Sequence, residues 1–196
     1  MRKRILSVLL FLALFPLASR AAETEPELRG LWVECEGTND TLSSKKKIDR
    51  LIDLAEASGF NTLFVQVYRH DRAWYNSRLA DTTPYRQIVK KEEIDPLAYL
   101  LSRAHSRGLK VQTWLNMFRI GKDKNAPVIK RLGKDIVTRD GEGRSLLAYP
   151  VKNLPDGGYW LDPGDRAVQS YLRNIILELL KKYPNLDGIH LDFTDR

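Results

Sequence analysis

The chain has 196 residues, 43% of them hydrophobic, with 32 Lys and Arg against 25 Asp and Glu and a formal charge of +7. That is length for one or two domains and apolar content for a packed core. The single cysteine, Cys35, excludes an internal disulfide framework and a cysteine-based metal site. Histidines scattered at 70, 105 and 190 argue against a dedicated transition-metal site, leaving at most a carboxylate-bound Ca²⁺, and no cofactor is expected.

The first predicted element is a secretory signal over residues 1–21. Arg2, Lys3 and Arg4 open it, an apolar run from Ile5 to Ala18 follows, and Ser19-Arg20-Ala21 brings small residues to the cleavage position. The run is shorter than the roughly 20 residues of a spanning helix. The expected location is therefore periplasmic or extracellular, without stable membrane insertion after cleavage. The leader holds four of the 32 basic residues and none of the 25 acids, so the remainder balances at 28 against 25, or +3. Nucleic-acid binding loses its support, because it needs a clustered basic stripe; Lys45–Lys47 and Lys90–Lys91 read as solvated helix faces.

From Leu28 onward, short β-type runs alternate with helix-period runs, the pattern of βαβ units around a parallel sheet. The first strand is predicted over 28–35, followed by a helix from about Ser43 to Ser58, with Ser43 or Ser44 as N-cap, Ile48, Leu51, Ile52 and Ala55 on one stripe, and Gly59 closing it. The second strand covers 61–68. After a long connection comes a helix with Asp95 as N-cap, Pro96 at its first position, Leu97, Leu100, Leu101 and Ala104 facing the core, and Gly108 at its end. The third strand, 109–116, leads through another long connection to a helix over 165–183, stopped by Pro184, and the fourth strand covers 186–193. The fold class is therefore α/β, of the (β/α)8 barrel type, with about the first four βα units present: a whole barrel takes roughly 250 residues.

Side chains alternate along a strand. One face carries Trp32 and Glu34, then Gln66 and Tyr68, then Gln112, Trp114 and Asn116, then His190 and Asp192; the other is apolar in all four strands and meets the helices. The polar set converges at the strand C-terminal mouth, where barrels keep their chemistry. Acids, amides and flat aromatics in one cleft suit sugars, whose hydroxyls meet carboxylates and amides and whose C–H faces meet indoles. Trp32 and Trp114 read equally well as barrel filling. His190 orients Asp192, touches substrate or is a satisfied core histidine. Asp192 itself, a carboxylate in an apolar strand, costs several kcal/mol unless paired or solvated, which favours function. Asp187 reads as a structural hydrogen-bonding group at the strand entrance, and His105 as a helix-terminus feature. G-x-S-x-G, G-x-x-x-x-G-K and H-E-x-x-H motifs are absent.

The ordered strings RGLWVE (29–34), NTLFVQVYRHDRAWYNS (61–77), DPLAYLLSRAHSRGLKVQTWLN (95–116), WLDPG (160–164) and LDGIHLDF (186–193) resemble the bacterial glycosyl-hydrolase-like 10 family. The resemblance spans nearly all of residues 22–196, which then form the N-terminal half of a glycosyl-hydrolase-like TIM barrel. It implies an exported enzyme that cleaves glycosidic bonds, with Asp192 as the leading catalytic candidate and Gln66, Trp114, Asn116 and His190 lining the sugar cleft. His70-Asp71-Arg72 departs from the family's Gly-Asp pair, and Thr194-Asp195-Arg196 departs from its Arg-containing segment.

Most glycosidases need two carboxylates. Glu34 is the internal candidate for the second, and a later strand beyond residue 196 is an equal source; Asp195 is a poor choice, three residues from Asp192, roughly 10 Å along a strand and on its other face. The connections 69–94 and 117–160 wall the mouth, with Trp74, Tyr75, Tyr85, Tyr159 and Trp160 as stacking platforms. The expected partner is a polysaccharide or oligosaccharide, cell-wall glycan foremost, and this chain alone is expected to need its second acid for activity. Two rivals are a non-catalytic carbohydrate-binding or scaffold protein and a polysaccharide deacetylase; the second lacks a metal-ligand cluster.

Overall fold

The computed structural model describes residues 27–154 and 157–194; the signal segment 1–21 and Asp195 lie outside them. Four strands build the main sheet: β1 (Gly30–Val33), β2 (Thr62–Arg69), β4 (Lys110–Asn116) and β7 (Gly188–Asp192), in the order β1-β2-β4-β7. All three pairings are parallel. The crossovers are α1 (Lys45–Ala57), then α2 (Thr83–Glu92) with α3 (Pro96–His105), then α5 (Arg166–Lys182). Each new strand joins on the same side as the last, so the sheet winds in one direction, as in a barrel, where a doubly wound sheet would reverse. The sheet is also coiled. Trp32 of β1 and His190 of β7 have ring centroids 4.6 Å apart, although three strand spacings in a flat sheet come to about 14 Å.

Local chemistry sets the helix ends. Ser44 accepts from Lys47 N and Asp95 from Ala98 N, as their predicted capping roles require, and Asp165 caps α5 by accepting from Ala167 N and Val168 N. Gly59 and Gly108 follow α1 and α3 with φ of 73° and 70°, the left-handed stop that glycine adopts without a Cβ penalty. The convex face of the sheet, including Leu63, Val65, Val67, Val111 and Leu115, packs on Ile48, Ile52, Leu97, Leu101, Val168 and Ile175, all buried. On β7 the same face is open, with Leu191 36% and Phe193 55% exposed.

The long connections hold structure that the apolar pattern did not reveal. In the first, β3 (Arg72–Ala73) pairs antiparallel with β2, and α2 follows it. In the second, β5 (Arg119–Gly121) and β6 (Tyr159–Trp160) form a separate two-stranded ribbon, with α4 (Pro127–Leu132) between them in sequence. Among the described residues, no helix is long and apolar enough to cross a membrane.

Candidate active site

Successive cross-strand registers stack the concave face in layers. Trp32, Phe64, Gln112 and Gly188 share one; Gln66, Trp114 and His190 the next; Asn116 and Asp192 the one nearest the strand C-termini. Gly188 belongs there for steric reasons, since a Cβ at this position would lie 3.1 Å from the Gln112 side chain. The aromatic layer is continuous. Trp32 stacks on Phe64 at 4.7 Å and meets Trp114 edge-on at 5.0 Å, while 50% of Trp32 stays open to solvent.

Asp192 is the focus of a directed hydrogen-bond chain. Cys35 donates through both N and Sγ to Gln66 Oε1, Gln66 Nε2 donates to Asn116 Oδ1 at 2.5 Å, and Asn116 Nδ2 donates to Asp192 Oδ2 at 2.9 Å. Trp114 Nε1 donates to the same oxygen at 3.0 Å; Thr194 donates its N and Oγ1 to Oδ1, both at 2.8 Å. Gln66 and Asn116 are buried, at 1% and 0% exposure, so each amide is fixed by its neighbours, as a buried amide must be. Burial pushes the Cys35 thiol up, which keeps it a neutral donor. Amide and indole N–H groups are donors only, the setting of an ionised, acceptor-only carboxylate.

The sequence-predicted residues divide. Asp192, Trp114, Asn116, Gln66, Trp32 and His190 come together on the concave face. Glu34 lies one residue past β1, exposed, in an open groove of about 720 Å³ shared with Trp32, Trp114, Lys47 and Arg50. Tyr68 does not line the cleft. The register slips between Gln66 and Tyr68, so Gln66 stays beside Trp114 while Tyr68 falls beside Leu115 on the convex face. A bulge inserts one residue and inverts the alternation beyond it; Tyr68 is 1% exposed and its hydroxyl donates to Asp71. Trp74, Tyr75 and Tyr159 are core residues, at 3%, 0% and 0% exposure, not platforms. Tyr85 is half-buried and donates to Asp95, and Trp160 is half-buried in β6 opposite Arg119. At the opposite rim, Asp187 accepts from Val111 N at 2.7 Å and pairs with His105 Nε2 at 2.8 Å.

Asp71 was missed. Its carboxylate is fully buried and accepts from Tyr171 Oη at 2.5 Å, Val128 N at 2.8 Å and Tyr68 Oη at 3.3 Å, tying β2 to α4 and α5. Burial raises its pKa to about 6, against the pull of those hydrogen bonds. In sequence it is one acid in the polar turn His70-Asp71-Arg72, indistinguishable from a solvated one. Among the described residues no cluster of three or more His, Cys, Asp or Glu is placed to hold a metal ion.

The glycosyl hydrolase-like 10 family model matches residues 27–195. The glycosyl hydrolase DigH of Escherichia coli K12 is 29% identical over 147 residues, 74% of this chain and 33% of that protein. The glycosyl hydrolase YngK of Bacillus subtilis is 24% identical over 187 residues, 87% of this chain and 34% of that one. The chain thus spans about a third of the length of these relatives. Among solved structures, a hypothetical protein of Ruminiclostridium thermocellum is similar with TM-score 0.56 at 20% identity, over 83% of this chain and 75% of that one. The Thermus thermophilus α-galactosidase TtGalA, solved with stachyose, is similar with TM-score 0.55 at 23% identity, over 86% and 33% of the two chains. At such identities these two show the barrel fold alone.

Proposed function

Since the chain belongs to the glycosyl hydrolase-like 10 family, we propose that it serves an exported glycoside hydrolase acting on a polysaccharide, with Asp192 as the ionised catalytic carboxylate. The observation that carries this reading is the convergence of Trp114, Asn116 and Thr194 on the two oxygens of Asp192 beside an open aromatic surface. An ionised carboxylate held in place acts as nucleophile on the anomeric carbon or as base for the attacking water. Trp32 offers its exposed ring to a sugar face, and His190 stands edge-on to it.

A second carboxyl group must protonate the leaving oxygen. Glu34 is the candidate within this chain, across the concave face from Asp192 on the opposite outer strand. The pattern of residues 1–21 supports delivery to the periplasm or outside the cell, and cell-wall glycan is the substrate proposed first on that ground.

The test is digestion of defined glycans by the full-length protein, with products read by mass spectrometry. Wild type is expected to release shorter glycans, and Asp192→Asn to lose at least about a hundredfold in turnover, the scale of a lost acid–base group, with an unchanged melting temperature. Equal turnover by both would remove Asp192 from the chemistry. Glycan binding by calorimetry without product would favour a carbohydrate-binding protein instead.

A further inference from the structure

The hydrogen bonds that end on Asp192 begin on a buried cysteine. One member comes from each main strand or its end, in strand order: Cys35 beyond β1, Gln66 in β2, Asn116 at the end of β4 and Asp192 at the end of β7. Cys35 lies two residues past β1, outside the paired part of that strand, and is 1% exposed. Its sulfur sits 3.2 Å and its backbone N 3.3 Å from the same oxygen, Gln66 Oε1.

A carboxamide carries an oxygen at one end and an NH2 at the other, nearly alike in shape, so hydrogen bonding rather than packing chooses its orientation. Two amides in series therefore have two possible directions. In the one observed, Gln66 Nε2 donates to Asn116 Oδ1, which leaves Asn116 Nδ2 to donate to Asp192 Oδ2 at 2.9 Å. Reversal would turn Asn116 Oδ1 toward Asp192 Oδ2, oxygen against oxygen, a contact tolerable only with a proton between them. It would also turn the Gln66 NH2 toward Cys35, whose backbone N–H can only donate. Gln66 and Asn116 are 1% and 0% exposed, so water offers no relief, and an unmatched buried donor costs its full desolvation. The direction is thus decided at the Cys35 end. The backbone bond there is long, 3.3 Å against a usual value of about 2.9–3.0 Å, so the thiol is the second donor that the Gln66 oxygen needs. Glu36, Arg69 and Arg72 are the charges around the sulfur; burial outweighs them and pushes the thiol up, so it keeps its proton.

We propose that Cys35 is a positioning residue for the reaction at Asp192: its N–H and S–H together fix the direction of the relay, and so hold Asn116 as a donor to the reacting carboxylate. The proposal rests on the glycoside hydrolase reading and deepens it by adding a residue that acts at Asp192 from inside the core. Gln66 and Asn116, both buried, transmit the direction across the sheet. Any residue at position 35 supplies the backbone N–H, so substitution reads the side chain's share alone. Serine keeps a donor there, and alanine does not.

The test compares Cys35→Ala with Cys35→Ser in the full-length protein. In Cys35→Ala the side-chain NH2 protons of Gln66 and Asn116, followed by NMR, are expected to exchange with solvent severalfold faster than in wild type. On a cleavable glycan, kcat is expected to fall roughly twofold to tenfold at unchanged KM, the worth of one net hydrogen bond. Cys35→Ser should recover most of both losses. If the alanine variant does not fold, Cys35→Val and Cys35→Thr, nearly equal in shape, give the same contrast between absent and present donor. A folded alanine or valine variant with wild-type exchange and kcat overturns the proposal. Equal losses with and without the donor also overturn it, because they would mark a packing role. Hydrogen exchange is read without turnover, so donor-dependent exchange in a protein that cuts no glycan would sink the hydrolase reading while the direction-setting role of Cys35 stands.

Discussion

Asp192 stays on a partly open sheet face because donors from three other residues meet its two oxygens, and the fixity of those donors depends on amides farther in. Asn116 is the link: it accepts from Gln66 and donates to Asp192 while fully buried. Asn116→Ala is therefore expected to cost about 1–3 kcal/mol, the penalty for orphaning the buried Gln66 donor, measured as a fall in thermal stability. Asp71 makes the opposite kind of prediction. Its pKa is raised from 3.8 to about 6 on folding, so between those values the folded state holds the proton more tightly than the unfolded one. Asp71's own contribution to stability therefore falls as pH rises from about 4 to about 6 and is flat above. Melting curves of wild type and Asp71→Asn should diverge across that window, with wild type gaining relative to the variant on acidification; a constant offset would contradict the assignment. Neither residue's partners were legible in the sequence. Asn116 was placed on the correct face, but the order Cys35, Gln66, Asn116, Asp192 emerges only when four strands lie in register.

At the scale of elements, alternation and capping carried most of the information. The four strands, the faces of Gln66, Trp114, Asn116 and Asp192, and the caps Ser44 and Asp95 follow from period and residue type. Asp165 accepts two N–H groups at the start of the 17-residue α5, so Asp165→Ala is expected to cost about 1 kcal/mol, seen as an earlier unfolding midpoint in urea. The failures have equally local causes. The slip after Gln66 depends on where β2 leaves its partner, which periodicity within one strand does not record, so alternation alone assigns Tyr68 to the wrong face. The turn at His70 and Asp71 uses residues other than the Asn-Gly that announces such turns. In α2 only Pro84 and Ile88 are buried, too few to form a readable stripe. Trp74, Tyr75 and Tyr159 differ from expectation for another reason: an aromatic in a loop reads as exposed, whereas these loops fold over a core.

The described residues form a coiled segment of barrel with the candidate site at one rim and structural bonds at the other. Asp187, His105 and Val111 lock the strand N-terminal side, while the Asp192 network occupies the C-terminal side, the division of labour that barrels show generally. Apolar side chains are open along both outer strands: Trp32 with Leu54 beside β1, and Leu191 with Phe193 at β7, between 36% and 57% exposed. In a closed barrel those positions face neighbouring βα units. The parallel sheet was legible because each of the first three main strands returns through a helix to a parallel neighbour; the tight coiling that brings Trp32 to His190 was not, since it depends on side-chain packing across the sheet. The central claim is that this rim presents Asp192 as the reacting carboxylate. Its most direct test is chemical rescue in the full-length protein: Asp192→Ala should lose glycan cleavage with its fold intact, and added azide, a small anion that takes the place of the missing carboxylate, should restore turnover severalfold. Cleavage by Asp192→Ala at the wild-type rate would contradict it.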